Sequence, residues 1–537
     1  VEVILLTIDS RNIPQDTIVN CDICIVGGGA AGITLAKELI GKSYQVILLE
    51  SGGLQAPDEL TNSLRDGENI GLPYFPIKDL TNRALGGNTS RWANFVVPFE
   101  EIDFEKRDWV PYSGWPFTRQ TLMPYYERAN KICGIEDFNY DPNELAARIG
   151  DPIFRPMQLD SQRITTKMWR FYLPPLNFKT AYFAEIQQAP NIETYLYANV
   201  VEITVNDAVK RVDRIRVATV NDTQFWVSSR AFILAMGGVE IPRVMLASNQ
   251  VQKQGVGNQN DLVGRFYQEH PHFYRSAIVL IPESDNYPAL YTWEAMTYHQ
   301  VLAGLGPTRA LQEQEQILNG TVEFANYSIP WASGLMANGF LNHVQAVLSD
   351  LGSLADRSLR NARFRQWFGF RPYRRPVLYF KPRLEQAPNP DSRITLSTEK
   401  DRLGLPRIRM NWQLTDLDRR TLHRINHAIA EEVGRAGLGR VRILYSETDT
   451  PWPPEWQNPD GPAFQGGWHY MGATRMHDDP KQGVVDADCR VHGLSNLYIS
   501  SSSVFPTGSF ANPTLTIVAL ALRLVEHLDN RLRTQAL

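Results

Sequence analysis

The sequence predicts an α/β protein in which a doubly wound domain of the nucleotide-binding kind is interrupted by an inserted second domain. Three observations carry this. Residues 21–53 run strand, glycine-rich turn, helix, strand. Residues 230–235 form another apolar strand that enters a second glycine pair, "AMGG". The chain closes on Gly-, Ser- and Asn-rich loops and a helix from residue 513 to about 532, so pieces of the first domain stand at both ends.

Taken in order, "CDICIV" (21–26) is an apolar strand broken only by Asp22. "GGGAAG" (27–32) is a tight turn, and Ile33, Ala36, Leu39 and Ile40 then recur at helical spacing. "YQVILLE" (44–50) is a second strand ending on Glu50. Residues 191–205 read as strand. "DSRITLS", "RIRMNWQL" and "RVRILYS" read as strands of one second sheet, and residues 417–436 as a helix. The stretch from 268 to 385 is rich in aromatics and lacks clear nucleotide signals.

Composition narrows the function. The 537 residues are 43% hydrophobic and 21% charged, which excludes disordered and fibrous classes. A net charge of -4 gives no electrostatic case for a nucleic-acid partner. Seven arginines between 357 and 375, interleaved with Phe364, Trp367, Phe368 and Phe370, read as a solvated basic face. Four cysteines are too few for a disulfide framework, and a four-cysteine iron–sulfur cluster needs them all. Cys21 and Cys24 form a CxxC, but positions three apart on a strand face opposite sides, so no metal is expected there. Residues 491–522 hold no Asp, Glu, Lys or Arg, yet their Ser, Gly, Pro and Asn content excludes a membrane span. The opening "VEVILLTIDSRN" shows no secretory pattern, and a cytoplasmic location is expected.

Gly27, Gly29 and Gly32 match G-x-G-x-x-G between a strand and a helix. Gly27 permits the turn, Gly29 lets the backbone approach a pyrophosphate, and Gly32 lets helix and strand pack closely. The phosphates then sit on a helix N-terminus. Glu50 follows Gly27 by 23 residues, the place of a ribose-hydroxyl acceptor; a plain strand-end charge is the alternative. The motif reads only the ADP half and does not choose between FAD and NAD.

Three further segments choose. These are "RALGGNTSRWANF" (83–95), "ILAMGGVEIPRVMLAS" (233–248) and the block that opens "WHYMGATRMHDD" at Trp468 and runs through "SFANPTLTIVALALRL". With "CDICIVGGGAAGITLAKEL", and with "SGWPF" ahead of "LMPYYERANKICG", the chain resembles the glucose–methanol–choline (GMC) flavin oxidoreductases. "ANPTLT" and "RVHGLSNLY" resemble the branch of pyranose oxidases and sugar or polyol dehydrogenases.

The resemblance implies a Rossmann-like FAD-binding domain with an inserted substrate domain on an antiparallel sheet. It divides the chain into FAD-binding pieces 1–115, 186–267 and 456–537, a helical lid region 116–185, and a substrate domain 268–455. It implies oxidation of a CH–OH group on a sugar, polyol, glycoside or other alcohol, with hydride passing to flavin N5. A lyase that keeps FAD structurally, and a redox-inactive binding protein, are the rivals. His469 takes the catalytic position, although "GATRM" carries an extra Ala against the family's pattern, and Asn512 in "ANPTLT" is its partner. Histidine titrates near neutrality and suits removal of the hydroxyl proton; Asn can hold the oxygen. Asn512 ahead of Pro513 also reads as a helix N-cap with Pro at the first helical position, a start that would aim its positive end at the flavin. Gly86, Gly87, Asn88 and Asn94 are expected on the flavin side, with Ser501 and Pro513. Val201 is expected to meet the adenine through its backbone. Where some relatives attach the flavin through a His, this chain has Arg91, so FAD is expected to be non-covalent. Ser501 stands where the family often has Asp or Gly. His477 and His492 read as structural. Trp293, Trp331 and Trp367 are candidates for stacking on a sugar, with core or lid packing as the alternative. With no cluster or haem motif, oxygen or a small quinone-type acceptor is the expected oxidant.

Overall fold

The computed structural model describes residues 7–159, 162–281, 287–326, 377–444, 446–453, 457–458, 461–462 and 464–534. The arginine-rich stretch 357–375, Trp331 and Trp367 lie outside the described residues.

The first sheet has eight strands, in the order Thr7–Asp9, Ile192–Leu196, Val46–Leu49, Ile18–Val26, Gln224–Leu234, Val212–Ala218, Asn199–Val205, with Leu497–Ile499 also on Gln224–Leu234. Every pairing from Thr7–Asp9 across to Gln224–Leu234 is parallel, as is that of Leu497–Ile499; the last three strands form an antiparallel meander. Val46–Leu49 and the second half of Ile18–Val26 are buried apolar runs, packed against helix Ala30–Glu38; Phe178–Gln188 and Thr514–Arg533 pack beside that helix. Thr514–Arg533 buries Leu515, Val518, Leu522 and Val525, and lies against Arg119–Ile132, where Tyr126 Oη meets Thr516 Oγ1 at 2.9 Å.

Residues 191–205 are not one strand. Ile192–Leu196 and Asn199–Val205 stand at different places in the sheet, because Tyr197 adopts φ +59° and turns the chain out of the first strand. Cys21 and Cys24 are both free thiols, and Cys21 Sγ donates to the Ser228 oxygen at 3.9 Å.

The second sheet is antiparallel throughout. Its path is Arg440–Ile443, Ala277–Leu280, Val377–Leu384, Gly320–Asn326, Val301–Pro307, Ile164–Arg170, with Pro271–Phe273 and Phe464–Gly466 attached. It builds its own core with Asp416–Arg435, whose Leu422, Ile425 and Ile429 are buried. The three strands expected to share one sheet do not. Arg393–Lys400 and Pro406–Asn411 form a small sheet with Gly67–Asn69, while Arg440–Ile443 edges the large one. Two short strands from the nucleotide-side segments, Gly67–Asn69 and Phe464–Gly466, thus pair with strands of the inserted part. No helix among the described residues is long and apolar enough to cross a membrane.

Candidate active site

A cavity of about 570 Å³ runs between the two sheets. At one end it is lined by Val26, Leu49 and Ala235, at the carboxyl ends of the parallel strands, where doubly wound sheets bind ligands. At the other it is lined by His272 and Arg383 of the antiparallel sheet.

The nucleotide end follows from local chain geometry. Gly27 has φ +108°, and a Cβ there would lie 2.7 Å from the Ala235 carbonyl oxygen. A Cβ on Gly29 would meet nothing within 4 Å: the backbone lies open to the cavity where helix Ala30–Glu38 begins with no side-chain cap. That is the cradle a pyrophosphate fills. The second glycine loop closes on it, since a Cβ on Gly87 would come 3.0 Å from Gly29 Cα. Glu50 is buried and accepts the Gly28 and Gly52 N–H groups, each at 2.8 Å. At Val201 the meander's ladder shifts register and passes over the residue, leaving its backbone outside the pairing. These features fit the ADP half of FAD.

The other end gathers three imidazoles. His469 Nε2 lies 2.9 Å from Asn512 Nδ2. His469 Nδ1 lies 2.7 Å from His270 Nδ1. His272 Nε2 is buried without a hydrogen-bond partner and its side chain lines the cavity. Glu269 ties this cluster together. It accepts the backbone N–H of Gly467 at 2.8 Å, His469 at 2.8 Å and His270 at 3.0 Å, and the hydroxyl of Tyr74.

Burial sets the electrostatics. It holds His469 and His272 well below the ordinary histidine range, with the charge of Arg383 acting the same way on both, and lowers His270 to about 4. Glu269 is pushed up by burial to about 7, against its four donors. Arg383 Nε meets Glu323 at 2.6 Å, and Lys381 shares that carboxylate at 3.8 Å. The imidazoles are therefore held neutral, each with one donor and one acceptor nitrogen.

His469, Asn512, Gly27, Gly29, Glu50, Gly87, Asn88, Val201, Ser501 and Pro513 all line the one cavity. Gly32 is off the wall and has the packing role its place in the motif implies: a Cβ there would stand 1.8 Å from the Gly27 oxygen. Gly86 is also off the wall, with φ +96° and its N–H on the Gly28 oxygen at 2.8 Å. Asn94 lines the cavity as expected, while its side-chain amide donates to the Cys133 oxygen at 3.1 Å and accepts the Leu176 N–H at 2.8 Å. Asn512 does not cap its helix. The helix runs Thr514–Arg533, flanked by Pro513, with no side-chain cap, and the Asn512 amide faces His469 instead.

The sequence reading missed Glu269, His270 and His272. One signal was present: His270 and His272 are two apart around Pro271, which on a strand puts both on one face. His492 Nε2 meets the His477 backbone oxygen at 2.8 Å, His477 Nδ1 accepts the Asp479 N–H at 2.9 Å, and both rings stand off the cavity wall. Trp293 is 41% exposed beside Phe95 and Lys381. No group of three or more His, Cys, Asp or Glu able to hold a metal occurs among the described residues.

Residues 388–521 match the family model described as GMC oxidoreductase. The 2-methyl-1,2-propanediol dehydrogenase of Mycolicibacterium austroafricanum is 23% identical over 579 aligned positions, covering 95% of each chain. The paromamine 6'-oxidase of Streptomyces fradiae is 24% identical, covering 94% of this chain and 90% of that one. Among solved structures, pyridoxine 4-oxidase from Mesorbium loti superposes with a TM-score of 0.59 at 16% identity, covering 95% of this chain and 99% of that one. Formate oxidase gives 0.54 at 16% identity, covering 97% and 99%. These two likenesses speak to the fold.

Proposed function

We propose that the chain is a GMC oxidoreductase that oxidises a CH–OH group of a sugar, polyol or other alcohol to the carbonyl, with FAD as its cofactor; the match of residues 388–521 to the GMC oxidoreductase model supports this reading. The observation that carries this reading is the His469 Nε2–Asn512 Nδ2 contact of 2.9 Å on the wall of the cavity that Gly27, Gly29 and Glu50 also line. The names of relatives, among them a 2-methyl-1,2-propanediol dehydrogenase, a paromamine 6'-oxidase and a fructose dehydrogenase large subunit, support the substrate class.

When bound, FAD supplies the acceptor for the hydride that leaves the carbinol carbon. The chain's own residues do the remaining work. The free N–H groups after Gly29 hold the pyrophosphate, Glu50 the ribose hydroxyls, and the Val201 backbone the adenine. Gly87, Asn88, Ser501 and Pro513 flank the ring system. His469 takes the hydroxyl proton on Nε2, and the Asn512 amide donates to the substrate oxygen and fixes which hydrogen faces the ring. Arg383 and the unpartnered His272 contact further polar groups of the substrate.

The test is an anaerobic screen of sugars, polyols, glycosides and simple alcohols for flavin bleaching. His469→Ala should keep FAD and slow reduction at least about a hundredfold, the scale of a lost general base. Reduction at the wild-type rate in that variant removes His469 from the mechanism. Failure of every alcohol to bleach the wild type removes the oxidase reading and favours the lyase. Reoxidation is by oxygen or a small quinone-type acceptor: anaerobically reduced protein is mixed with air-saturated buffer, then with benzoquinone. If neither restores the colour within a turnover, the electrons need a protein partner.

A further inference from the structure

We propose that His270 is a positioning residue that fixes the tautomer of His469 and so makes Nε2 of His469 the proton acceptor. The inference rests on the oxidoreductase reading above for its meaning in catalysis, but not for its geometry.

The argument starts from two backbone carbonyls. His270 Nε2 stands 3.1 Å from the Gly508 oxygen and 2.9 Å from the Ser509 oxygen. Carbonyl oxygens only accept, so His270 Nε2 carries a hydrogen. His270 is fully enclosed, and burial keeps it neutral. A neutral imidazole has one N–H, so His270 Nδ1 is a bare lone pair. That lone pair faces His469 Nδ1 at 2.7 Å. Two lone pairs do not meet at hydrogen-bond distance, so His469 Nδ1 carries the hydrogen and donates it. His469 Nε2 is then bare, and it accepts from Asn512 Nδ2 at 2.9 Å until a substrate hydroxyl takes that place. Each hydrogen along the line is dictated by the two carbonyls at its far end.

The carbonyls are themselves held. Ser509 adopts φ +56°, rare for a non-glycine residue, and its hydroxyl donates to Asp103 Oδ2 at 2.6 Å. Asp103 is fully buried and also accepts the Asn319 amide at 2.8 Å. The charged groups acting on the imidazole pair are Arg383 on both and Glu385 on His270; His272 and the Glu269 carboxyl stand beside them. None of these touches His469 Nδ1, so His270 alone sets its hydrogen. In the reaction the O–H bond of the substrate breaks, an N–H bond forms at His469 Nε2, and the new imidazolium keeps its Nδ1–H on His270. The arrangement does for His469 what a carboxylate does for the histidine of a hydrolase triad: it fixes tautomer and orientation.

The test uses the FAD-loaded full chain as wild type, His270→Ala and His270→Asn. Asn can offer a carbonyl to the His469 Nδ1–H; Ala offers nothing. His270→Ala should slow anaerobic flavin reduction at least about a hundredfold, with less than about threefold change in half-saturating substrate. His270→Asn should recover at least about tenfold of that loss. The readout independent of activity is the 15N spectrum of histidine-labelled oxidised protein, with the His469 signals assigned by their loss in His469→Ala. The wild type should show Nδ1 protonated and Nε2 bare, and His270→Ala a mixture of tautomers. A protonated Nε2 in the wild type overturns the proposal, as does an Ala variant within threefold of wild-type rate or an Asn variant no better than Ala. If His270→Ala loses FAD or fold, the wild-type and Asn spectra decide. If no alcohol bleaches the wild type, the function falls while the tautomer is still read.

Discussion

Glu269 and His469 meet through the backbone: Oε1 of Glu269 accepts the His469 N–H at 2.8 Å, fixing the loop that carries the imidazole rather than the imidazole itself. The same carboxyl accepts Gly467 and His270 N–H groups, and its burial is complete. Glu269→Gln puts an NH2 against backbone donors. It should cost about 2–4 kcal/mol of stability, at about 1–3 kcal/mol per buried donor left unpaired, and slow reduction. Thermal melts with matched flavin content check this; a melt and rate like wild type's count against the clamp.

The acid limb of the rate–pH profile should lie below the ordinary histidine value of 6.5. Burial lowers His469 well below that value and His270 to about 4. The sign follows directly: a lowered pKa keeps the base unprotonated as pH falls. Reduction should stay flat from pH 8 to about 6 and decline below. The linked stability effect has the same direction, because the unfolded chain binds protons at histidine from about pH 6.5 downward while the folded chain does not until lower pH. Stopped-flow rates across pH 4.5–8 read the limb, and a midpoint at or above 6.5 contradicts the buried, neutral site.

Asn512→Ala should lose rate without losing stability. Its amide lies on His469 and does not cap Thr514–Arg533. A true N-cap would cost about 1 kcal/mol on truncation. A variant that melts early and turns over normally would support the cap.

Gly29→Ala and Gly32→Ala should fail differently. Gly29 has open space where a Cβ would go, so the variant should fold yet bind FAD at least tenfold more weakly, about 1.4 kcal/mol. Gly32 has the Gly27 oxygen 1.8 Å from a Cβ, so its variant should be unstable. Melts of the apo-proteins beside FAD titration separate the two; equal melting would contradict the packing role of Gly32.

FAD should leave on acid precipitation. Arg91 lines the cavity at the position read as the attachment site, donates to Asn88 Oδ1 at 3.0 Å, and cannot form the bond that a histidine forms. Yellow supernatant is expected, and a yellow pellet would point to another linkage residue.

The sequence by itself determined what lies within one element or one turn. The glycine turn at 27–32, the strand ending on Glu50 and the helix from 514 are set by spacing of fewer than about thirty residues, and periodicity and turn chemistry report them directly. His469 and Asn512 were legible because each sits in a distinctive local motif. Only the tertiary structure decided the rest. His270 and His469 are 199 positions apart in the chain and 2.7 Å apart in space. Glu269 reaches Tyr74 across 195 positions. Asn94 reaches the cavity wall, yet its side-chain amide is turned to Cys133 and Leu176, 39 and 82 positions away. A local pattern fixes which backbone path a segment takes; which side chain meets which is settled when two separately patterned sheets close on one cavity, and that pairing leaves no periodicity to read.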